Sequence, residues 1–186
     1  MLYLIFQAGG DTFALGAASV VEVVPLVRLR NVPHAPYGVA GVFNYRGAII
    51  PVVDLGALIV GTACSDFYST RIIVTRVECK ADPESPTPGK KTERLIGLIA
   101  EKATEITSLE ESLFEPSALR VEQTPYLGDV VSGGSLEADD VASEWGKAEI
   151  IQRIDAAALL TPDIRRALDM ADGLDSEEKA QQEQGV

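Results

Sequence analysis

Histidine and cysteine are scarce in this 186-residue chain, one and two residues, and their spacing argues against most of the chemistry they do. His34 is the only histidine, so any Ser-His-Asp relay would have to use it. It sits in Pro33-His34-Ala35-Pro36, a rigid break where a solvent-exposed loop histidine is the plainer expectation. Cys64 and Cys79 stand 15 positions apart and, with one histidine, match no zinc-ligand spacing. Neither a metal nor another cofactor is expected. No glycine-rich phosphate loop and no nucleophile elbow occurs in the chain. Asp54, in the apolar stretch PVVDL, is expected to cap a short helix by accepting a backbone N–H of its first turn. A small hydrolytic or ligand-binding β-barrel using Asp54 or His34 is the second reading. It requires an enclosed polar pocket with a perturbed carboxylate.

Two charged residues suit binding better than catalysis. Arg46 stands at the tip of a hairpin with apolar flanks, and its guanidinium offers five donors in a fixed fork. A solvated turn arginine is the equally simple alternative. Glu22 is one charge inside the apolar run VVEVV. It either faces solvent on a half-buried strand or marks an exposed apolar strip suited to docking.

The elements that position these residues read as short strands. Leu2–Phe6 is a β-rich run, Gly9-Gly10-Asp11 signals a turn, and Thr12–Leu15 follows as a hairpin partner. Ser19–Val24 favours strand, after a helical turn near Gly16–Ser19. Val27–Val32 alternates apolar and polar residues. Val39–Tyr45, Arg46-Gly47 and Ala48–Val53 form strand, tight turn and strand, with Gly47 supplying positive φ. Pro51 removes a ladder donor, which predicts an edge strand or a bulge there. Asp54–Val60 reads as a short helix ended near Gly61. Arg71–Glu78 and Arg94–Ala100 are strands, and Glu101–Thr107 is less clearly patterned. Residues 80–91 read as a surface loop. Tyr126–Val131 and Trp145–Ile154 are the last strands, separated by an acidic loop. Asp155–Leu160 reads as a short turn of helix, and Pro162 opens a helix to Met170.

Composition bounds the function. The net charge is −12, which argues against nucleic-acid binding. Residues 1–50 nevertheless carry only Asp11 and Glu22 against Arg28, Arg30 and Arg46. The acidity gathers in residues 132–149 and in the polar tail, where flexibility is expected. Residues 2–6 are apolar but too short for a signal peptide or membrane span, so no direct membrane insertion is expected. The cysteines are therefore expected to be reduced thiols in the cytoplasm.

One stretch is specific. Residues 36–55, PYGVAGVFNYRGAIIPVVDL, fit the pattern P-x-x-x-x-G-V-x-N-x-R-G-x-x-x-P-V-x-D-L, the hallmark of the CheW-like chemotaxis coupling family. Val20-Val21-Glu22-Val23 resembles that family's V-x-E-I/V element. Arg94–Ile99, Ala103–Ile106, Tyr126–Gly128 and Ile150–Leu160 resemble its later strands, so the likeness runs in order from about residue 2 to 160.

The resemblance implies an all-β fold of two SH3-like five-stranded barrels packed on a shared apolar core. Short helices would lie between strands and near the C-terminus. It places the CheW-like domain at 1–160, with a first barrel at about 12–75 and a second at about 76–160. Strand 2–6 can join the second barrel, and 161–186 is left as a short helix and acidic tail. It implies an adaptor without catalytic activity, located at membrane-associated receptor arrays. The implied partners are a methyl-accepting chemoreceptor's cytoplasmic tip and the regulatory domain of a CheA-type histidine kinase. Carried over, the receptor- or kinase-binding set is Val20, Glu22, Gly41 and Arg46, with Asn44 and Gly47 shaping the turn. The chain departs from the pattern in having Tyr45 where the family usually has leucine. Its longer loops and acidic tail suggest an alternative, non-flagellar pathway.

Overall fold

The first two strands show why these apolar runs become buried sheet. The computed structural model describes residues 1–79, 92–117, 124–132 and 150–165. β1 (Leu2–Ala8) and β2 (Asp11–Gly16) form an antiparallel hairpin. Gly9 and Gly10, with φ of 62° and 92°, make its turn, a backbone that side chains with a Cβ resist. Successive strand residues point to opposite faces. Leu4 and Phe6 therefore enter one apolar cluster while Tyr3 and Ile5 enter another. A strand buried on both faces needs the unbroken apolar run LYLIF.

Seven more strands follow among the described residues: β3 (Val20–Pro25), β4 (Val39–Tyr45), β5 (Ala48–Asp54), β6 (Arg71–Cys79), β7 (Thr92–Ser108), β8 (Leu127–Ser132) and β9 (Ile150–Ile154). A short helix, α1 (Leu55–Val60), links β5 to the loop before β6. The fold is all-β, as expected: two five-stranded SH3-like barrels. Their strand orders are β3-β6-β7-β5-β4 and β7-β1-β2-β9-β8, with β7 counted in both. Parallel ladders join β5 to β7 and β2 to β9. The largest cluster draws Val53, Ile73 and Leu98 from one barrel and Phe6, Phe13 and Ile154 from the other, which is the shared core. Each barrel also encloses a cluster of its own.

Several local expectations change. Glu101–Thr107 is not a separate, weaker element. It continues β7, a 17-residue strand that pairs with β6 up to Ala100 and with β1 from Glu101. The changeover coincides with Lys102 at φ 52°, a kink that turns the strand from one barrel into the next. Consequently β2 lies in the barrel built mostly from later residues, while β6 and the first half of β7 lie in the earlier one. The hydrogen bonding thus cuts across a division at 75/76.

Val27–Val32 is not a strand. Arg30 alone bridges, to Val42, with Pro25 and Pro33 bracketing the segment; Val27 is exposed and Leu29 packs on the first barrel's cluster without a continuous ladder. β5 is not an edge strand, but at Pro51 one of its sides is locally unpaired. β5 pairs on both sides, but its ladder with β7 begins at Val52, so the missing donor falls beyond that ladder. The expected strand residues 145–149, the loops 80–91 and 133–143, and the tail beyond 165 lie outside the described residues. Residues 162–165 are helical, as Pro162 predicted.

Candidate docking site

The hairpin tip is built by its turn chemistry. β4 and β5 close on the pair Tyr45–Ala48, leaving Arg46 and Gly47 as a two-residue turn with φ of 53° and 90°. Positive φ at both positions is the signature of the hairpin turn that matches strand twist. The sequence predicted it only for Gly47. Arg46 adopts it as well, an uncommon backbone for a residue with a Cβ. Asn44 contributes by accepting the Gly47 N–H on its Oδ1 at 2.8 Å. Strand alternation then sends the Tyr45 ring into the barrel, where it is 8 % exposed. Arg46 goes outward, its side chain 72 % exposed.

β3 supplies the other half. Its pairing with β6 steps from Val20–Thr75 to Glu22–Val74, so Val21 is an extra residue bulged outward. Bulges re-aim side chains. Here Val20 and Val23 pack on the shared core, while Val24 packs on the first barrel's cluster beside Tyr45. Glu22, on the same face as Val24, reaches the barrel rim above Tyr45.

The three side chains meet there. The Tyr45 hydroxyl donates to Glu22 Oε2 at 2.6 Å, and Arg46 Nη2 donates to the same oxygen at 2.9 Å. The guanidinium also lies over the Tyr45 ring, 5.3 Å from its centre. The Tyr45 hydrogen bond above all, with Arg46 adding to it, holds the Glu22 carboxyl below the ordinary carboxylate range. The same bond to Glu22, followed by burial, raises the Tyr45 phenol above its usual value.

The six residues singled out from the sequence thus divide. Glu22, Asn44, Arg46 and Gly47 gather at the tip. Val20 is half-buried and packs on the shared core, across the β3 bulge from Glu22. Gly41 is buried, with φ 148°, and a Cβ there would come within 2.6 Å of the Arg30 carbonyl. Its strand-bulge position lets Arg30 and Val42 exchange two 2.9 Å backbone hydrogen bonds. Tyr45 was visible in the sequence only as a departure from a pattern. Its partner Glu22 lies 23 positions away, beyond the reach of local periodicity.

The residues considered for catalysis are placed otherwise. Asp54 is a helix cap, as expected: it accepts from Ala57 N at 3.0 Å and from Cys64 N at 3.1 and 3.2 Å. Gly61, at φ 79°, closes the other end of α1. His34 is exposed in its loop. A cleft of about 800 Å³ lies elsewhere, and neither residue lines it. Arg153 on β9 borders that cleft, donating to Asp129 at 2.6 Å and Glu111 at 3.0 Å with the Phe114 ring beneath it. Tyr3 donates to the same Glu111 at 3.0 Å. This network ties β1, β8 and β9 together, and the run IIQRI carries no local signal of it. Among the described residues no group of three or more His, Cys, Asp or Glu is placed to hold a metal ion. None of their helices is long and apolar enough to cross a membrane.

Known proteins share both sequence and architecture with this chain. The Rhizobium meliloti chemotaxis protein CheW is 26 % identical over 114 residues, covering 61 % of this chain and 64 % of the relative. The match thus spans less than two thirds of that relative's length. The Helicobacter pylori chemotaxis protein CheW is 27 % identical over 117 residues, covering 63 % of this chain and 67 % of the relative. The crystal structure of the scaffolding protein TtCheW from Thermoanaerobacter tengcongensis superposes with a TM-score of 0.65 at 21 % identity, covering 88 % of this chain and 89 % of that one. The family model for the CheW-like domain matches residues 2–161, which hold every described strand of the two barrels. With that match, the chain belongs to the CheW-like domain family.

Proposed function

We propose that this chain is a non-enzymatic adaptor that couples chemoreceptor signalling tips to the regulatory domain of a CheA-type histidine kinase. Its place is the cytoplasm, at membrane-associated receptor arrays of an alternative, non-flagellar pathway. The CheW-like unit is residues 1–160, with 161–186 outside it. The observation that carries this reading is the Glu22–Arg46 pair at an exposed hairpin tip. Exposed Val21 (41 %) lies on the bulged strand and exposed Ile49 (43 %) on the hairpin, which gives apolar surface on both elements. Apolar contact supplies affinity at such a surface, and a charge pair supplies register and partner choice. Glu22 and Arg46 are the contact residues, Asn44 and Gly47 hold the turn, and Val20 and Gly41 hold β3 and β4 in place, the one by packing on the shared core and the other by its close approach to Arg30.

The test is a pull-down of both partners with wild type and Arg46→Glu. The substitution sets two like charges side by side at the tip. It should weaken at least one contact about tenfold or more while leaving the far-ultraviolet circular dichroism unchanged. Tight, unchanged binding of both partners by the variant would remove Arg46 from the site.

A further inference from the structure

We propose that the Tyr45 hydroxyl is a positioning group of the docking site, pinning Glu22 so that the Glu22–Arg46 pair meets a partner in one geometry. The inference rests on the docking function just proposed. An ion pair between two long, exposed side chains is ordinarily mobile, since holding it costs rotamer entropy and solvent screens it. Arg46 and Glu22, with side chains 72 % and 38 % exposed, would be expected to behave that way. Tyr45 changes their circumstances at both ends. Its ring is held in the first barrel's apolar cluster with Ile50, Ile72 and Val74, so its hydroxyl projects from a fixed point. That hydroxyl takes Glu22 Oε2 at 2.6 Å, and the oxygen it fixes is the one that Arg46 uses. The face of the same ring lies under the guanidinium. One residue therefore restrains the carboxylate by hydrogen bonding and the guanidinium by stacking.

What this leaves for a partner follows from donor arithmetic. Arg carries five N–H donors, and one nitrogen of Arg46 is engaged with Glu22. The rest of the fork lies on the exposed side of a side chain that cannot swing freely. A carboxylate or backbone carbonyl on the partner is the chemistry such a fork accepts. Pre-ordering the fork removes part of the entropy that binding would otherwise lose. The low titration of Glu22 agrees with this, because its largest cause is the Tyr45 hydrogen bond. The simpler account is that a buried phenol has found the nearest acceptor. That account predicts a change in stability alone.

Tyr45→Phe in the full chain separates the two, since it removes the hydroxyl and keeps the ring. Nitrogen-15 relaxation of Arg46 Nε should report a rigid side chain in wild type and a looser one in the variant. The Glu22 carboxyl should titrate at higher pH. Affinity for a soluble chemoreceptor signalling-tip hairpin from the same genome should fall about three- to tenfold. In an Arg46→Ala background the same exchange should change affinity less than twofold, because its effect passes through Arg46. Unchanged Arg46 dynamics in Tyr45→Phe overturns the proposal, and so does an equal loss of affinity in both backgrounds. A looser Arg46 in the variant, with no hairpin binding by wild type, overturns the docking function and supports the pinning.

Discussion

Replacing Gly41 by alanine should destabilise the protein by about 3–5 kcal/mol and should reach the candidate docking surface only through that loss. The new Cβ would stand 2.6 Å from the Arg30 carbonyl oxygen, closer than the 3.0 Å that real Cβ contacts respect, and backbone atoms cannot swing aside. Relief requires the 25–30 segment to move off β4. That breaks the two 2.9 Å hydrogen bonds between Arg30 and Val42, about 1 kcal/mol each. The φ of 148° adds roughly 1–3 kcal/mol for any residue with a Cβ. In urea, with a slope of about 1–3 kcal/mol/M, the unfolding midpoint should fall by roughly 1 M or more. Amide exchange at Arg30 and Val42 should accelerate more than at Ile73 in the core. Partner affinity, measured where the variant is still folded, should drop only as the 25–30 segment loosens, because Gly41 presents no surface of its own. A midpoint within about 0.3 M of wild type, with Arg30 and Val42 still protected, would refute the close-approach reasoning.

Two further changes probe neighbouring features. Asp54→Ala removes the cap of α1 and strands the Cys64 N–H, and should cost about 2–4 kcal/mol in the same urea assay; a cost below about 0.5 kcal/mol would show that the cap is dispensable. Burial, aided by the nearby Asp54 charge, pushes the Cys64 thiol from its ordinary 9.0 to about 12, leaving roughly a thousandfold less thiolate at pH 8. With Cys79 replaced by serine, Cys64 should therefore react with a thiol reagent far more slowly in the folded protein than in urea, and comparable rates would contradict its burial.

How far the sequence reached depended on the range of each interaction. The Arg46-Gly47 turn, the Asp54 cap and the Gly61 stop were legible because each is decided by residues within a few positions. The apolar run of β1 announced a doubly buried strand. Val27–Val32 misled because alternation reports which side chains face the protein, as Leu29 does, and not whether the backbone finds a ladder beyond the single Arg30–Val42 bridge. β7 was split because Ala103, Glu105 and Ile106 lose the alternation where the strand leaves one barrel for the other, and Lys102 marks the place by backbone rather than composition. Within the candidate site, the tip residues were found on the turn motif. Their mutual contact was not, since Tyr45 meets Glu22 only after β3 and the hairpin have been brought to the same barrel rim. The Arg153 network was invisible for the same reason: it joins residues from β1, β8, β9 and the turn at 111–113.

The crossing of β7 also sets an order of assembly. The first barrel holds strands from residues 20–100, so its pairings are complete once Ala100 is available. The β1–β2 hairpin comes first in the chain yet has to wait. One of its edges is closed by residues 101–108 and the other by 151–154. Loops of such length close slowly, and non-local β pairing is the slow step in folding. During synthesis the hairpin is thus an early strand pair with two open edges, one of which is filled only by a strand made some 140 residues later. Early unpaired edges are templates for wrong partners. The second barrel should therefore be the part whose maturation is most exposed to misassembly and most in need of protection while the chain is incomplete.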